Sequence, residues 1–84
     1  MDKKIIRELV DTLIVMIRKY NVSYEDNDYD SYHYFATLID GFCFAFDSLS
    51  IDYHFKRRLL DEGIFVDSDF IVSVTVDGVA YDVD

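Results

Sequence analysis

Proline is absent from the 84-residue sequence, glycine occurs three times and cysteine once. With no Pro- or Gly-rich stretch there is little room for a linker, so residues 1–84 read as a single domain. A chain of this size buries roughly 60 to 65% of its unfolded surface, enough for one modest core. The single Cys43 cannot close an internal disulfide, which agrees with a reducing compartment. No uninterrupted apolar run is longer than Leu13 to Ile17, far short of the roughly 20 residues of a membrane span. The "MDKK" start also lacks the apolar segment of a secretory signal. Together these absences predict a soluble, cytoplasmic protein with no membrane partner.

Positive charge is scarce as well. Eight Lys and Arg face seventeen Asp and Glu, a net charge of −9. Phosphate binding is driven by Lys and Arg, so nucleic acid is excluded as a direct partner. The bases fall in two groups, Lys3, Lys4, Arg7, Arg18 and Lys19, then Lys56, Arg57 and Arg58. Residues 20–55 and 59–84 each carry seven acids and no Lys or Arg. A body this small with this charge projects a long-range negative field.

What is present argues for a folded chain. Hydrophobic residues make up 51% of it, including seven Phe and seven Tyr, which is incompatible with a disordered acidic tail. Ile6, Leu9, Val10, Leu13, Ile14 and Ile17 recur at helical spacing and predict a helix over about 3–20. A second helix is expected over "SIDYHFKRRLLDEG", with Ser50 as its cap, Ile51, Phe55 and Leu59 on one face, and Gly63 after its last turn. Asp40-Gly41 and Asp77-Gly78 each sit between aromatic or β-branched runs, the strongest short-range hairpin signal. In the second hairpin Val72, Val74, Val76, Val79, Tyr81 and Val83 face inward, and Ser73, Thr75, Ala80, Asp82 and Asp84 outward. The expected fold is α+β with order αββαββ: a four-stranded sheet with two helices on one face, similar to a ferredoxin-like fold entered at another point of its circuit.

No catalytic motif emerges. Asp26, Asp28 and Asp30 alternate like the start of a calcium loop, but Ser31 stands where its glycine belongs and Thr37 where its glutamate belongs. Cys43 and His33 fall on opposite faces of the expected first hairpin and cannot act as nucleophile and base. Two histidines and one cysteine without clustered spacing do not form a zinc site, and His54 beside Lys56, Arg57 and Arg58 reads as a solvated face. No enzymatic activity and no cofactor are expected.

The segment that stands out is "YEDNDYDSYHY", residues 24–34. Tyrosine is amphipathic and costs little entropy to immobilise, so it suits protein interfaces. Interleaved acids add steering toward a basic surface, and along an extended strand alternate carboxylates lie about 7 Å apart, a spacing comparable to that of backbone phosphates. The candidate partner-binding residues are Glu25, Asp26, Asp28, Tyr29, Asp30, Tyr32 and Tyr34, joined by Asp47, Asp82 and Asp84 on an open sheet face.

In size, acidity, lack of proline and its tyrosine-acid segment, the chain resembles phage-encoded anti-CRISPR proteins and related nucleic-acid mimics. The resemblance is carried by Tyr24–Tyr34 and the acidic Asp82–Asp84. It implies a stoichiometric inhibitor that occupies a basic nucleic-acid-binding surface of a host defence complex. The other expectation is a homodimer or larger self-assembly that uses an edge strand or the open sheet, where Ala36, Ala45, Ala80 and Cys43 would permit close approach.

Overall fold

A computed structural model describes residues 2–60 and 65–83. Two helices, α1 (Lys3–Glu25) and α2 (Tyr29–Ser48), precede three strands, β1 (Tyr53–Leu60), β2 (Phe65–Val76) and β3 (Val79–Asp82). The strands form an antiparallel meander in the order β1-β2-β3. The α+β class is as expected. The four-stranded sheet and the permuted ferredoxin-like circuit are not: the chain reads ααβββ, and two of the expected elements have exchanged type.

The first helix follows its sequence period. Asp2 caps it, its side chain accepting from the Lys4 amide at 2.8 Å, and Ile6, Val10, Leu13, Ile14 and Ile17 are buried. It runs past Tyr20 because the next turn is also fastened. Buried Asn21 donates to the Ile71 carbonyl at 2.8 Å and accepts from the Ile71 amide at 3.0 Å. A polar side chain inside the core is tolerated only when its donors and acceptors are matched, and here β2 supplies the match.

The second helix occupies the segment expected to be the first hairpin. Asp40-Gly41 lies in its middle, not at a turn. Tyr32, Phe35, Ala36, Ile39, Phe42, Cys43 and Phe46 recur three or four residues apart and all belong to, or pack against, the buried cluster. That seven-membered stripe against α1 outweighs both the β-propensity of the aromatics and the Asp-Gly turn signal. The helix ends in a Schellman motif: the Ser50 amide donates to the Asp47 carbonyl at 3.1 Å and the Ile51 amide to the Phe46 carbonyl at 2.9 Å. Ser50, expected to start a helix, is the left-handed residue (φ 56°) that stops one.

The segment expected to form the second helix is β1. Tyr53 and Phe55 pair with Val76 and Val74 on the inward face, while His54 and Lys56 lie exposed between them. Gly63, expected to end that helix, lies outside the described residues. The Asp77-Gly78 hairpin forms as expected, with both residues at positive φ (52° and 80°) and Val76 opposite Val79, Thr75 opposite Ala80, Val74 opposite Tyr81 and Ser73 opposite Asp82. A bulge interrupts the expected alternation in β2: Lys56 pairs with Ser73 but Arg57 with Ile71. Ile71 thereby joins Val74 and Val76 in the core, and Val72 is only half-buried. Val79, expected inward, is 52% exposed at the hairpin tip.

Both helices cover one face of the sheet. The first fastens to β2 through Asn21 and to the end of β3 through Arg18, which donates to the Val83 carbonyl. The second meets β1, where the Phe46 and Tyr53 rings lie 5.7 Å apart. Val10, Leu13, Ile17, Phe46, Val74, Val76 and Val83 are fully buried between the layers.

Candidate functional site

The tyrosine-acid segment is the connection between the two helices, not an extended strand, so its carboxylates do not form a ladder of strand spacing. Glu25 ends α1 and pairs with Arg58. Asp26 is the C-cap of α1, and Asn27 takes a left-handed turn at φ 55°. Asp28 caps α2, its side chain accepting from the Ser31 amide at 3.3 Å, and Asp30 lies in the first helical turn. Acids at that end complement the helix dipole. Local helix chemistry thus explains Asp28 and Asp30, and an ion pair explains Glu25.

The tyrosines divide. Tyr29 and Tyr34 are exposed. Tyr32 turns inward, stacked on Tyr20 with ring centroids 4.9 Å apart, and its hydroxyl donates to Asp69 at 3.1 Å. Burial, then the hydrogen bond to Tyr32, pushes the Tyr20 hydroxyl well above its ordinary pKa.

Of the three acids assigned to an open sheet face, Asp84 lies outside the described residues. Asp82, opposite Ser73 on β3, lines a groove of mixed charge with Arg7, Asp11 and Arg18. Asp47 belongs to α2 and accepts from the Tyr53 hydroxyl at 3.4 Å. The outward positions of the sheet, including His54, Lys56, Thr75 and Ala80, are of mixed character. The small residues expected there for self-association are mostly elsewhere. Ala36 and Cys43 pack against the core from α2, Ala45 is on α2 too, and only Ala80 is on the sheet.

The exposed part of α2, a helix of 20 residues with no Lys or Arg, is where acids collect instead. Asp30, Asp40 and Asp47 are all exposed: Asp30 shares the outer side with Tyr34 and Phe44, 60% and 75% exposed, while Asp40 and Asp47 lie on the flank toward β1, Asp40 lining a small cleft with Phe55 and Arg57 and Asp47 meeting Tyr53. At 1.5 Å per residue Asp30 and Asp47 stand about 25 Å apart along the axis. Much of the basic charge is engaged within the fold. Arg7 pairs with Asp11 at 3.2 Å and lies over the Tyr81 ring, Arg18 holds Val83, Lys19 lies over Phe35, Arg57 over Phe55 and Arg58 over Phe70. None of these bases is on α2. Sequence reasoning missed Asp40 and Phe44 because both sat inside the supposed hairpin. The helical stripe from Tyr32 to Phe46, read first, puts Phe44 on the opposite, solvent side and Asp40 on the flank beside it.

Cys43 and His33 stand ten positions apart on α2, about 15 Å along its axis, with Cys43 half-buried and His33 exposed. Burial raises the Cys43 thiol above its ordinary pKa against a hydrogen bond with Tyr53 that lowers it. Tyr53 is pushed up to about 12, first by desolvation and then by its neighbours Cys43 and Asp47. A protonated, half-buried thiol is a poor nucleophile. Among the described residues no three His, Cys, Asp or Glu side chains are grouped to hold a metal ion, and no helix is long and apolar enough to cross a membrane. No protein-family model, curated protein or solved structure matches the chain.

Proposed function

We propose that this protein is a protein-binding inhibitor that lays the acidic side of α2 and the adjoining interhelical turn into a basic, nucleic-acid-binding groove of its target, as an anti-defence protein of a phage or mobile element would. The observation that carries this reading is the segregation of charge: α2 exposes Asp30, Asp40 and Asp47 together with Tyr34 and Phe44, with no Lys or Arg on the same helix. A net charge of −9 supplies the steering field, and the exposed rings supply apolar contact once the surfaces meet. The imitation is of charge and not of phosphate spacing, since helical placement leaves the carboxylates unevenly spread.

The test is capture of a basic partner from the native host at low and high salt, followed by competition with nucleic acid. A partner retained at low salt, released by high salt and displaced by a DNA or RNA oligonucleotide supports the reading. The variant with Asp30, Asp40 and Asp47 all changed to Asn should lose at least about tenfold in association rate. Lys3→Gln and Lys4→Gln should change little. Capture indifferent to salt, to oligonucleotide and to the triple substitution refutes it.

A further inference from the structure

Where α1 hands over to α2, a cleft of about 350 Å³ opens between the helices and the bulged part of β2. Tyr24, Tyr29, Tyr32, His33, Asn27 and Asp69 line it, with no Lys or Arg. Tyr32 is its fixed wall: stacked on Tyr20, 6.2 Å from Tyr24 at a 41° tilt, edge-on to His33 at 5.3 Å, and bonded through its hydroxyl to Asp69. Tyr29, 69% exposed, forms a lip.

Three phenol rings and one carboxylate around a small space select for positive charge, because ring faces carry negative quadrupole potential and a carboxylate adds to it. An anion is disfavoured by the same groups, and the N-terminus of α2 that would attract one is already served by Asp28 and Asp30. The kind of cation follows from what the walls can offer. A bare ammonium entering the cleft must replace its hydration with three acceptors; the Asp69 carboxylate already accepts from Tyr32, the Ser23 hydroxyl is turned to the Lys19 carbonyl, and ring faces accept hydrogen bonds poorly. A methylated ammonium has shed that need and presents methyl groups to the rings.

We propose that this cleft binds a compact methylated ammonium group, the head group shared by choline-type small molecules and methylated lysine side chains. The cleft adjoins the docking surface at the interhelical turn, but none of Asp30, Tyr34, Asp40, Phe44 and Asp47 lines it, and its binding does not depend on that docking.

NMR titration of the intact protein tests the proposal with tetramethylammonium, choline, the uncharged tert-butyl isostere of choline, and trimethyl-lysine and lysine amides. Saturable shifts at Tyr24, Tyr29, Tyr32 and Asp69 are expected, with choline bound at least about fivefold tighter than its isostere and trimethyl-lysine at least about fivefold tighter than lysine. Tyr29→Ala, at an exposed position, should weaken tetramethylammonium at least about fivefold, as should Asp69→Asn, while Tyr34→Ala, outside the cleft, should not. Tighter binding of choline than of trimethyl-lysine supports the site and assigns a free small molecule as its occupant, and the reverse order supports it and assigns a side chain. Equal binding of choline and its isostere, shifts that never saturate, or full affinity in a folded Tyr29→Ala variant overturns the proposal. Partner capture by Asp69→Asn, changed on β2 and outside the docking surface, is expected to remain sensitive to salt and oligonucleotide, so a failure here leaves the docking reading standing.

Discussion

The same dipeptide, Asp-Gly, occurs in a helix and in a turn of this protein, and alanine at the two glycines should act with opposite sign. Gly41 lies in the middle of α2 on its exposed side, and a Cβ added there meets no atom within 4 Å. Alanine therefore costs nothing in packing and removes the backbone entropy that glycine loses in a helix, a gain of about 0.5–1 kcal/mol. For a domain of this size that gain raises the thermal midpoint by about 3–6 °C. Gly78 sits at φ +80° in the turn between β2 and β3, where alanine meets left-handed strain of about 1–2 kcal/mol. Gly78→Ala should lower the midpoint by about 4 °C or more. Thermal melts followed by circular dichroism, supported by urea titrations with unchanged slope, measure both. If residues 35–46 formed a hairpin about Asp40-Gly41, Gly41 would need positive φ and its alanine variant would be destabilised like the other. A fall in midpoint for Gly41→Ala thus refutes the helical placement of α2, and the acidic face with it.

Ser50→Gly relieves the left-handed strain at the end of α2 and should stabilise the fold by about 1 kcal/mol, read from the urea midpoint. Asn21→Leu leaves the amide and carbonyl of Ile71 without the partners they have in the core, and should cost about 2–3 kcal/mol in the same assay. Tyr20 and Tyr53 both have folded-state pKa values raised above the ordinary 10.0, Tyr53 to about 12. The unfolded chain therefore releases these protons first, and the stability they contribute is complete below pH 10 and lost as pH rises above it, for Tyr53 through about 12. The expected signature is a fall in stability over that window, shallower in Tyr53→Phe, with two of the seven tyrosines ionising late by ultraviolet absorbance. An identical alkaline profile in Tyr53→Phe would contradict the placement of Tyr53 beside Cys43 and Asp47.

The periodic parts of the sequence were legible. Ile6 to Ile17 admits only a helix, and the Asp77-Gly78 hairpin has correct register because its turn residues and its alternating valines agree. Between them, local and nonlocal signals conflict. Asp40-Gly41 among aromatics looks like a turn until the stripe from Tyr32 to Phe46 is followed for its full length, and only the presence of α1 to pack against decides for that stripe. The segment 51–60 fails for a different reason: Ile51, Phe55 and Leu59 are four apart, a spacing that fits a helical face and is also an even multiple of the strand period. The finer alternation Tyr53-His54-Phe55-Lys56 is the strand signal. The bulge that sends Ile71 inward has no mark in composition, since Ile71 and Val72 are equally suited to the core. Among the candidate site residues, Tyr29, Asp30, Tyr34 and Asp47 are exposed on α2. Asp28 serves as a cap, Glu25 pairs with Arg58, and Tyr32 is drawn into the cleft.

The bonds that α1 makes with Ile71 and Val83 span 50 and 65 residues of chain, and this separation governs the order in which the protein can assemble. A nascent chain has both helices by residue 48, but Val10, Leu13 and Ile17 lack the sheet until Ile71, Val74 and Val83 emerge. At about 5–20 residues per second that interval lasts roughly 2–7 s. Throughout it the paired helices carry an uncovered apolar side, a species prone to clumping with its neighbours on the same message. The exposed acids of α2, from Asp30 to Asp47, with no Lys or Arg on that helix, set like charge against like charge where two such half-built molecules meet.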